Sequence, residues 1–364
     1  MRPHPKLWRE SASIIALAKN GLNKVHNNKT SDYKILLQER SSKSEFLPST
    51  IVFPGGTVEE CDGGTDWFNH FKAFGLRKDD FRHFYSKNTL VPPILQGVQD
   101  PVIRHVCLRI TAIRETFEEL GILICKQNHE EPLSKNKCAS FISDFDVKHW
   151  QNKVHKDPTE FLSLCQHLDC YPDIGSLFLW SNWLTPLGYA SQRFDTLFFV
   201  CGFETAPPTH AEVSEVSQVW WGSPEDVMEK FNSKKLTLPP PQFYEVCRLF
   251  HQKDIDKLLK YSSLRSSLGC DQIYPILINP KSGKGYIAIF PGDELFPEFP
   301  DFEKQDIIDI GNTTIEELQN AAQITHRMEV YDFHTIKNQL KNFTPVQCQL
   351  SPVNGLMPNL IHFI

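Results

Sequence analysis

The 364-residue sequence lacks the features that mark membrane, secreted and nucleic-acid-binding proteins. No apolar run approaches the roughly 20 residues that a membrane-spanning helix requires, and no apolar signal-peptide core precedes a cleavage site near the N-terminus. The net charge is −6, so basic residues are not in excess. We therefore expect no membrane span and no nucleic-acid partner.

The ten cysteines contain no Cys-x-x-Cys pair. The segment from Cys165 through His167 to Cys170 comes nearest to a zinc motif, but no second ligand pair accompanies it. Other cysteines, such as Cys107 and Cys201, stand inside apolar runs, where a thiol behaves as a small apolar side chain. We expect reduced thiols and an intracellular protein.

Three carboxylates in residues 114–122 form the most informative pattern in the sequence. Glu115, Glu118 and Glu119 are spaced i, i+3 and i+4, so a helix would place them on one face. Side chains of this kind suit a hard divalent cation such as Mg²⁺ or Mn²⁺, which commonly bridges to substrate phosphates. A solvated acidic face is the plainer interpretation of an isolated triplet.

A glycine corner upstream favours the metal-binding interpretation. Gly55 and Gly56 follow Pro54 at the end of the apolar run 51–53. Glycine lets the backbone approach a site where a side chain would obstruct it. We therefore treat this corner as a candidate substrate-binding loop.

Together, the glycine corner and the carboxylate segment resemble the two halves of a Nudix box. The opening glycine and the first acidic position correspond to Gly56 and Asp62. The second half matches at Arg114, Glu115, Glu118, Glu119, Gly121 and Ile122. The sequence departs from the family at Thr116, where the family has an apolar residue. Gly56 and Arg114 are 58 positions apart against 14 in the family, so 44 residues are inserted.

An interrupted box resembles one branch of the Nudix hydrolases, the acyl-coenzyme A diphosphatases. The likeness extends to residues 183–186, 193–199 and 221–224 and covers roughly residues 8–260. It implies an α/β fold, a Nudix-type α/β/α sandwich with a mixed sheet. The implied reaction is metal-dependent hydrolysis of coenzyme A and acyl-coenzyme A to adenosine 3′,5′-bisphosphate and (acyl-)4′-phosphopantetheine. The partner is then a small-molecule substrate.

The resemblance also implies roles for individual residues. Glu115, Glu118 and Glu119 would be catalytic residues that hold Mg²⁺ or Mn²⁺, and Glu118 is our candidate for the general base. Arg114 would clamp the loop to the helix.

Further candidates lie outside the box. Arg193 can bind a phosphate through two hydrogen bonds, although an ion pair with a local acid is an equal alternative. Glu212 and Glu215 precede a predicted strand, where many Nudix enzymes place an additional carboxylate. Solvation of a loop is the alternative for both.

The hydrophobic periodicity predicts alternating strands and helices around this site. We predict strands over 11–18, 33–39, 51–53, 177–184, 195–203 and 216–221, and helices over 102–120, 141–148, 158–167 and from Ser223 onward. We assign residues 8–260 to the hydrolase domain and residues 261–364 to a C-terminal extension of unknown role.

The insertion, residues 63–100, is rich in aromatic residues. Phe68, Phe71 and Phe74 recur at helical spacing, which favours a small helical hairpin packed on the domain. A second interpretation, compatible with the first, is a lid that contacts the pantetheine arm or the acyl chain.

Several questions stay open at this stage. The substrate could be another nucleoside diphosphate derivative, and a non-catalytic nucleotide-binding module is an alternative from a different class. The resemblance implies a peroxisomal or mitochondrial protein, but residues 360–364 do not form a Ser-Lys-Leu-type signal, so the cytoplasm remains open. The sequence does not predict an oligomeric state.

Overall fold

The computed structural model describes residues 8–21, 30–85, 90–96, 99–127, 138–279, 285–303 and 313–342. Its strands are β1 (Arg9–Lys19), β2 (Tyr33–Arg40), β3 (Ile51–Val52), β4 (Gly55–Thr57), β5 (Cys125–Gln127), β6 (Cys170–Pro172), β7 (Phe178–Leu184), β8 (Phe194–Phe203), β9 (Val216–Gly222), β10 (Gln272–Ile273), β11 (Ile276–Ile278), β12 (Tyr286–Ile289), β13 (Thr325–Asp332) and β14 (Thr335–Lys341). Its α-helices are α1 (Thr65–Ala73), α2 (Pro101–Leu120), α3 (Val147–Lys156), α4 (Glu160–His167), α5 (Pro224–Asn232), α6 (Pro240–Leu249), α7 (Ile255–Ser266) and α8 (Ile315–Ala321).

A mixed sheet of eight strands forms the centre of the molecule. Its main order is β10-β7-β8-β1-β2-β3, with β4 paired to β1 and β9 paired to β2. The pairs β1 with β8 and β7 with β10 are parallel, and the other pairs in this sheet are antiparallel. The sheet therefore has the mixed character predicted from the sequence.

Both faces of this sheet are buried, because strand β1 is apolar at successive positions. Ile14 and Ala16 point into the core that contains α2, whereas Ile15 and Leu17 point into the core that contains α5, α6 and α7. Successive side chains on a strand point to opposite faces, so one apolar strand serves two helical layers. This arrangement confirms the predicted α/β/α sandwich.

Helix α2 is fixed at both ends by local signals. Asp100 accepts hydrogen bonds from the amides of Val102 and Ile103 and caps the N-terminus. Gly121 ends the helix with a φ of 68°, a left-handed conformation that glycine adopts without steric cost. The predicted helix over 102–120 is confirmed, and the carboxylate triplet lies in its last two turns.

Of the two helices predicted after α2, one is confirmed and one is not. The helix predicted over 158–167 is present as α4, but the prediction over 141–148 is wrong for most of its length. Ile142 instead forms a β-bridge with Leu123, and α3 begins only at Val147. The side chain of Asp146 accepts a hydrogen bond from the amide of His149, which starts the helix at this point.

The described part of the aromatic insertion packs onto the domain. Phe71 of α1 is fully buried, and its ring contacts those of Phe81 and Tyr171 at 5.0 and 6.2 Å between centroids. Phe68 and Phe74 pack against the same core. No described residue of the insertion lines the large cavity described below, so the structure supports the packing interpretation, and the lid stays a prediction.

Residues beyond 275 build a second, antiparallel sheet of order β11-β12-β13-β14. Met328, Val330 and Ile336 pack from this sheet into the core formed by α5, α6 and α7. Within the described ranges, no helix has both the length and the apolarity needed to cross a lipid bilayer.

Candidate active site

A cavity of about 650 Å³ opens between the loop before β4, the end of α2 and the C-terminal sheet. The predicted residues Gly55, Gly56, Glu115, Glu118 and Glu119 all line it. The two halves of the interrupted motif therefore meet in space despite the insertion between them.

The two glycines of the corner are required by close contacts. Strand β4 pairs antiparallel with β1, and this pairing presses Gly55 against Ser13 and Gly56 against Ala12. A Cβ atom on Gly55 would lie 2.4 Å from the carbonyl oxygen of Ala12, and one on Gly56 would lie 2.3 Å from Oε2 of Glu115. A side chain on Gly55 would thus collide with the backbone of β1, and one on Gly56 would displace the carboxylate of Glu115.

Arg114 joins the loop to the helix. Its buried guanidinium donates from Nε to Oδ1 of Asp62 at 2.8 Å and from Nη2 to the carbonyl oxygen of Thr57 at 2.9 Å. Nη1 donates to Glu115 at 3.0 Å and to Glu118 at 2.5 Å. One guanidinium therefore orients two of the three carboxylates and fixes the loop.

Asp62 occupies the position of the family's first acidic residue and serves as the anchor for Arg114. Its side chain is 1% exposed and accepts two hydrogen bonds from Arg114 and one, at 2.8 Å, from the hydroxyl of Thr111. Its role is to hold Arg114 in place, and it does not line the cavity.

Glu119 is held separately from the other two carboxylates. Its Oε2 accepts a hydrogen bond from Nε2 of Gln38 at 2.8 Å and one from the amide of Gly55 at 2.9 Å. Burial raises the pKa of all three carboxyl groups, and that of Glu119 rises to about 7. The three groups thus lie in an environment that disfavours their negative charges.

The donor set fits a hard divalent cation. The single guanidinium of Arg114 faces three carboxylates, those of Asp62, Glu115 and Glu118, so this cluster carries more negative than positive charge. The carboxylate oxygens that do not contact Arg114 are ligands of the kind that Mg²⁺ and Mn²⁺ prefer. Within the described ranges the three carboxylates do not form one group of oxygens within 4.8 Å of each other. All three line the same cavity but have different hydrogen-bond partners. Arg114 donates to Glu115 and Glu118, and the amide of Gly55 donates to Glu119.

The two additional candidate carboxylates differ in position. Glu215 lines the cavity, and its Oε1 lies 4.0 Å from Nδ1 of His155, which also lines it. Glu212 does not line the cavity; its Oε1 accepts hydrogen bonds from the amide and the hydroxyl of Ser214 at 3.3 and 3.1 Å. The structure brings only Glu215 to the other carboxylates.

Arg193 lies outside the cavity lining. Its Nε donates to the carbonyl oxygen of Thr185 and its Nη1 to that of Phe302, both at 2.9 Å, and its guanidinium stacks over the ring of Trp8. The side chain connects three distant segments of the chain, so the structure does not place it where it could bind a substrate phosphate in the cavity.

Three basic residues to which the sequence pattern gives no role also line the cavity: Arg9, Arg40 and Lys43. Arg40 ends β2 and donates from Nε to the carbonyl oxygen of Phe46, which folds the following loop over the cavity. The signal for these residues was weak, because single basic residues near strand ends are common on protein surfaces.

Cys165 and Cys170 do meet, but with Cys125 and without His167. One sulfur from each of the three cysteines lies within 4.8 Å of the others, and all three residues are buried free thiols of the core around α2. His167 is exposed, with its ring against that of Trp150 at 5.2 Å. The three sulfurs form a compact buried group, and reduced thiols stay a prediction.

Comparisons with known proteins connect this geometry to a family. A model of the NUDT19 Nudix domain matches residues 8–249, and a model of the NUDT19 C-terminal domain matches residues 281–340. The chain is 35% identical over 375 residues to the acyl-coenzyme A diphosphatase NUDT19 of Gallus gallus, covering 99% of this chain and 97% of that protein. It is 32% identical over 370 residues to the Homo sapiens protein of the same name, covering 95% and 96%.

A solved structure supports the fold independently. The NUDIX hydrolase from Alicyclobacillus acidocaldarius aligns with a TM-score of 0.51 and 19% identity, covering 70% of this chain and 96% of that one. At this identity the likeness concerns the fold alone.

Proposed function

This chain belongs to the NUDT19 family of Nudix hydrolases, and we propose that it is a diphosphatase that hydrolyses coenzyme A and acyl-coenzyme A. The products would be adenosine 3′,5′-bisphosphate and (acyl-)4′-phosphopantetheine. The observation that carries the proposal is the meeting of Glu115, Glu118 and Glu119 with Gly55 and Gly56 in one cavity.

The proposed cofactor is Mg²⁺ or Mn²⁺, held by Glu115, Glu118 and Glu119. When bound, such an ion neutralises the charge on the diphosphate and lowers the pKa of a coordinated water. The raised pKa of each carboxyl group supports this assignment, because a cation would stabilise the ionised forms that burial disfavours.

The residues of the chain then position the reacting groups. Gly56 lets the diphosphate approach the carboxylates, since a side chain there would occupy the space beside Glu115, and Gly55 lets the corner pair closely with β1. We assign removal of the water proton to Glu118, oriented by Arg114, with Glu215 as the substitute that also faces the cavity. Arg9, Arg40 and Lys43 supply positive charge for the phosphates of the nucleotide.

A substrate panel tests the proposal. Purified protein is incubated with Mg²⁺ or Mn²⁺ and coenzyme A, acyl-coenzyme A esters, a nucleotide sugar or a capped dinucleotide, and the products are separated by chromatography. We expect the coenzyme A species to be cleaved by the wild type and by Glu60→Gln, a matched change at an exposed position. Glu118→Gln should lose at least about a hundredfold in kcat.

Two results would overturn the proposal at different levels. Turnover confined to the nucleotide sugar or the capped dinucleotide would keep a Nudix hydrolase and discard the coenzyme A substrate. Absence of turnover of every compound, in a folded protein with both metal ions, would favour a non-catalytic module.

A further inference from the structure

His155 and Glu215 form a histidine–carboxylate pair in the lining of the cavity. His155 belongs to α3, and its Nδ1 lies 4.0 Å from Oε1 of Glu215. The side chain of His155 is 37% exposed and that of Glu215 is 46% exposed. Both side chains are therefore solvent-accessible members of the lining and are close enough to interact.

Helix α3 is held against the end of α2 by one buried glutamine. The side chain of Gln151 is buried, and its Nε2 donates to the carbonyl oxygens of Glu118 and His210, both at 2.8 Å. The carbonyl of Glu118 is one of the last four of α2, which have no partner within a helix. Gln151 and His155 are four residues apart, so they lie on one face of α3. The bond to the helix end therefore also brings His155 to the carboxylates.

Glu215 is positioned by the same helix end. The amides of His210 and Glu212 donate to the carbonyl oxygens of Leu120 and Glu119, at 2.7 and 2.8 Å. The amide of Glu215 donates in turn to the carbonyl oxygen of Glu212 at 3.0 Å, in the turn that precedes β9. The last carbonyls of α2 thus fix the backbone around both members of the pair relative to the carboxylates on that helix.

The electrostatic environment of Glu118 agrees with this proximity. Burial is the main influence and raises the pKa of Glu118, whereas the guanidinium of Arg114 lowers it. Smaller contributions to this pKa come from His155, which lowers it, and from Glu215, which raises it. The pair therefore lies within electrostatic reach of the residue to which we assign removal of the water proton.

We propose that His155 is a positioning residue of the hydrolase, whose N–H at Nδ1 donates to Glu215 and holds that carboxylate toward the cavity. The inference rests on the proposed function, in which Glu215 is the second carboxylate able to accept the water proton. A separation of 4.0 Å is longer than a hydrogen bond, and rotation of either partly exposed side chain can close it. Hydrogen bonds of catalytic groups are commonly long before the substrate binds.

Two substitutions of similar shape test the role of this N–H. The amide nitrogen of asparagine is bonded to Cγ, as Nδ1 of histidine is, so His155→Asn keeps a donor at that position and His155→Leu removes it. With acyl-coenzyme A and Mg²⁺, His155→Leu should lower kcat about fivefold with little change in KM, the effect of one partly exposed polar contact. His155→Asn should lower kcat by less than about twofold, because it keeps the donor. His149→Leu, at an exposed position of α3 outside the cavity lining, is the matched control and should leave kcat unchanged.

A double-mutant cycle with Glu215→Gln supplies a second readout, which a purely structural role of His155 would not produce. If His155 acts through Glu215, adding His155→Leu to the Glu215→Gln protein should change kcat by less than about twofold. Urea unfolding of each variant establishes that it is folded.

The possible outcomes separate the inference from the proposed function. Turnover by the wild type together with a normal kcat for His155→Leu or for Glu215→Gln would overturn the inference and leave the diphosphatase intact. Equal losses with His155→Asn and His155→Leu, or an undiminished effect of His155→Leu in the Glu215→Gln protein, would do the same. Absence of turnover of every coenzyme A species by the folded wild type would overturn the proposed function, and the inference with it.

Discussion

Replacing Glu119 by glutamine should inactivate the enzyme while stabilising its metal-free form. Glu119 is 4% exposed, and its Oε2 accepts hydrogen bonds from Gln38 and Gly55. The amide oxygen of glutamine can accept both bonds, so Glu119→Gln removes the charge and keeps the shape. Loss of a charged metal ligand should lower kcat by at least about a hundredfold.

The gain in stability follows from the raised pKa of Glu119. Burial raises that pKa from an ordinary value of 4.5 to about 7, which corresponds to roughly 3 kcal/mol, since one pKa unit is about 1.4 kcal/mol. The native state holds its proton more tightly, so the stabilising contribution is complete below pH 4.5 and is lost as the pH rises to about 7. Above pH 7 the wild type has the full cost of the buried charge, and the variant does not.

Urea unfolding in the presence of a chelator measures this difference. At pH 8 the variant should be more stable than the wild type by roughly 3 kcal/mol, and the difference should be small at pH 4.5. Saturating Mg²⁺ should stabilise the wild type more than the variant, because a bound ion favours the ionised carboxylate. Glu60→Gln, at an exposed position, should change neither quantity. A metal-free variant that is less stable than the wild type at pH 8, or one with normal turnover, would refute the reasoning.

Four further substitutions separate the roles of individual groups. Gly56→Ala places a Cβ atom 2.3 Å from Oε2 of Glu115, so kcat should fall about tenfold or more in a folded protein; normal kinetics would contradict the fit of the glycine corner. Phe71→Ala should cost about 3–5 kcal/mol in urea unfolding and leave the ratio of KM values for acyl-coenzyme A and coenzyme A unchanged, whereas a changed ratio would support the lid interpretation. Glu215→Gln should lower kcat about tenfold or more and Glu212→Gln should not, and equal effects would place both in the site.

The features that the sequence predicts best depend on neighbouring residues. Helix α2 is delimited by the Asp100 cap and by Gly121, both of which act within one turn of the helix ends. The carboxylate spacing is a property of the same helix. Resemblance then connected this helix to the glycine corner, which local patterns alone cannot do.

The features that were missed depend on contacts between distant segments. Arg193 lies against Trp8 and Phe302, which are far from it in sequence, so its interpretation as a phosphate ligand had no local evidence against it. Lining residues of the cavity such as Gln242 and Leu277 likewise come from α6 and from the C-terminal sheet. Its strands β11 and β12 span only three and four residues, too few for a clear alternating pattern.

The central claim is that water attacks the diphosphate, and the fate of an isotope label tests it most directly. Wild-type protein is incubated with an acyl-coenzyme A and a divalent cation in ¹⁸O-labelled water, and the products are identified by mass spectrometry. We expect adenosine 3′,5′-bisphosphate and acyl-4′-phosphopantetheine, with the label in the phosphate of one product and the thioester intact. Release of free fatty acid with the label in its carboxylate would contradict the account, because it would make the protein a thioesterase.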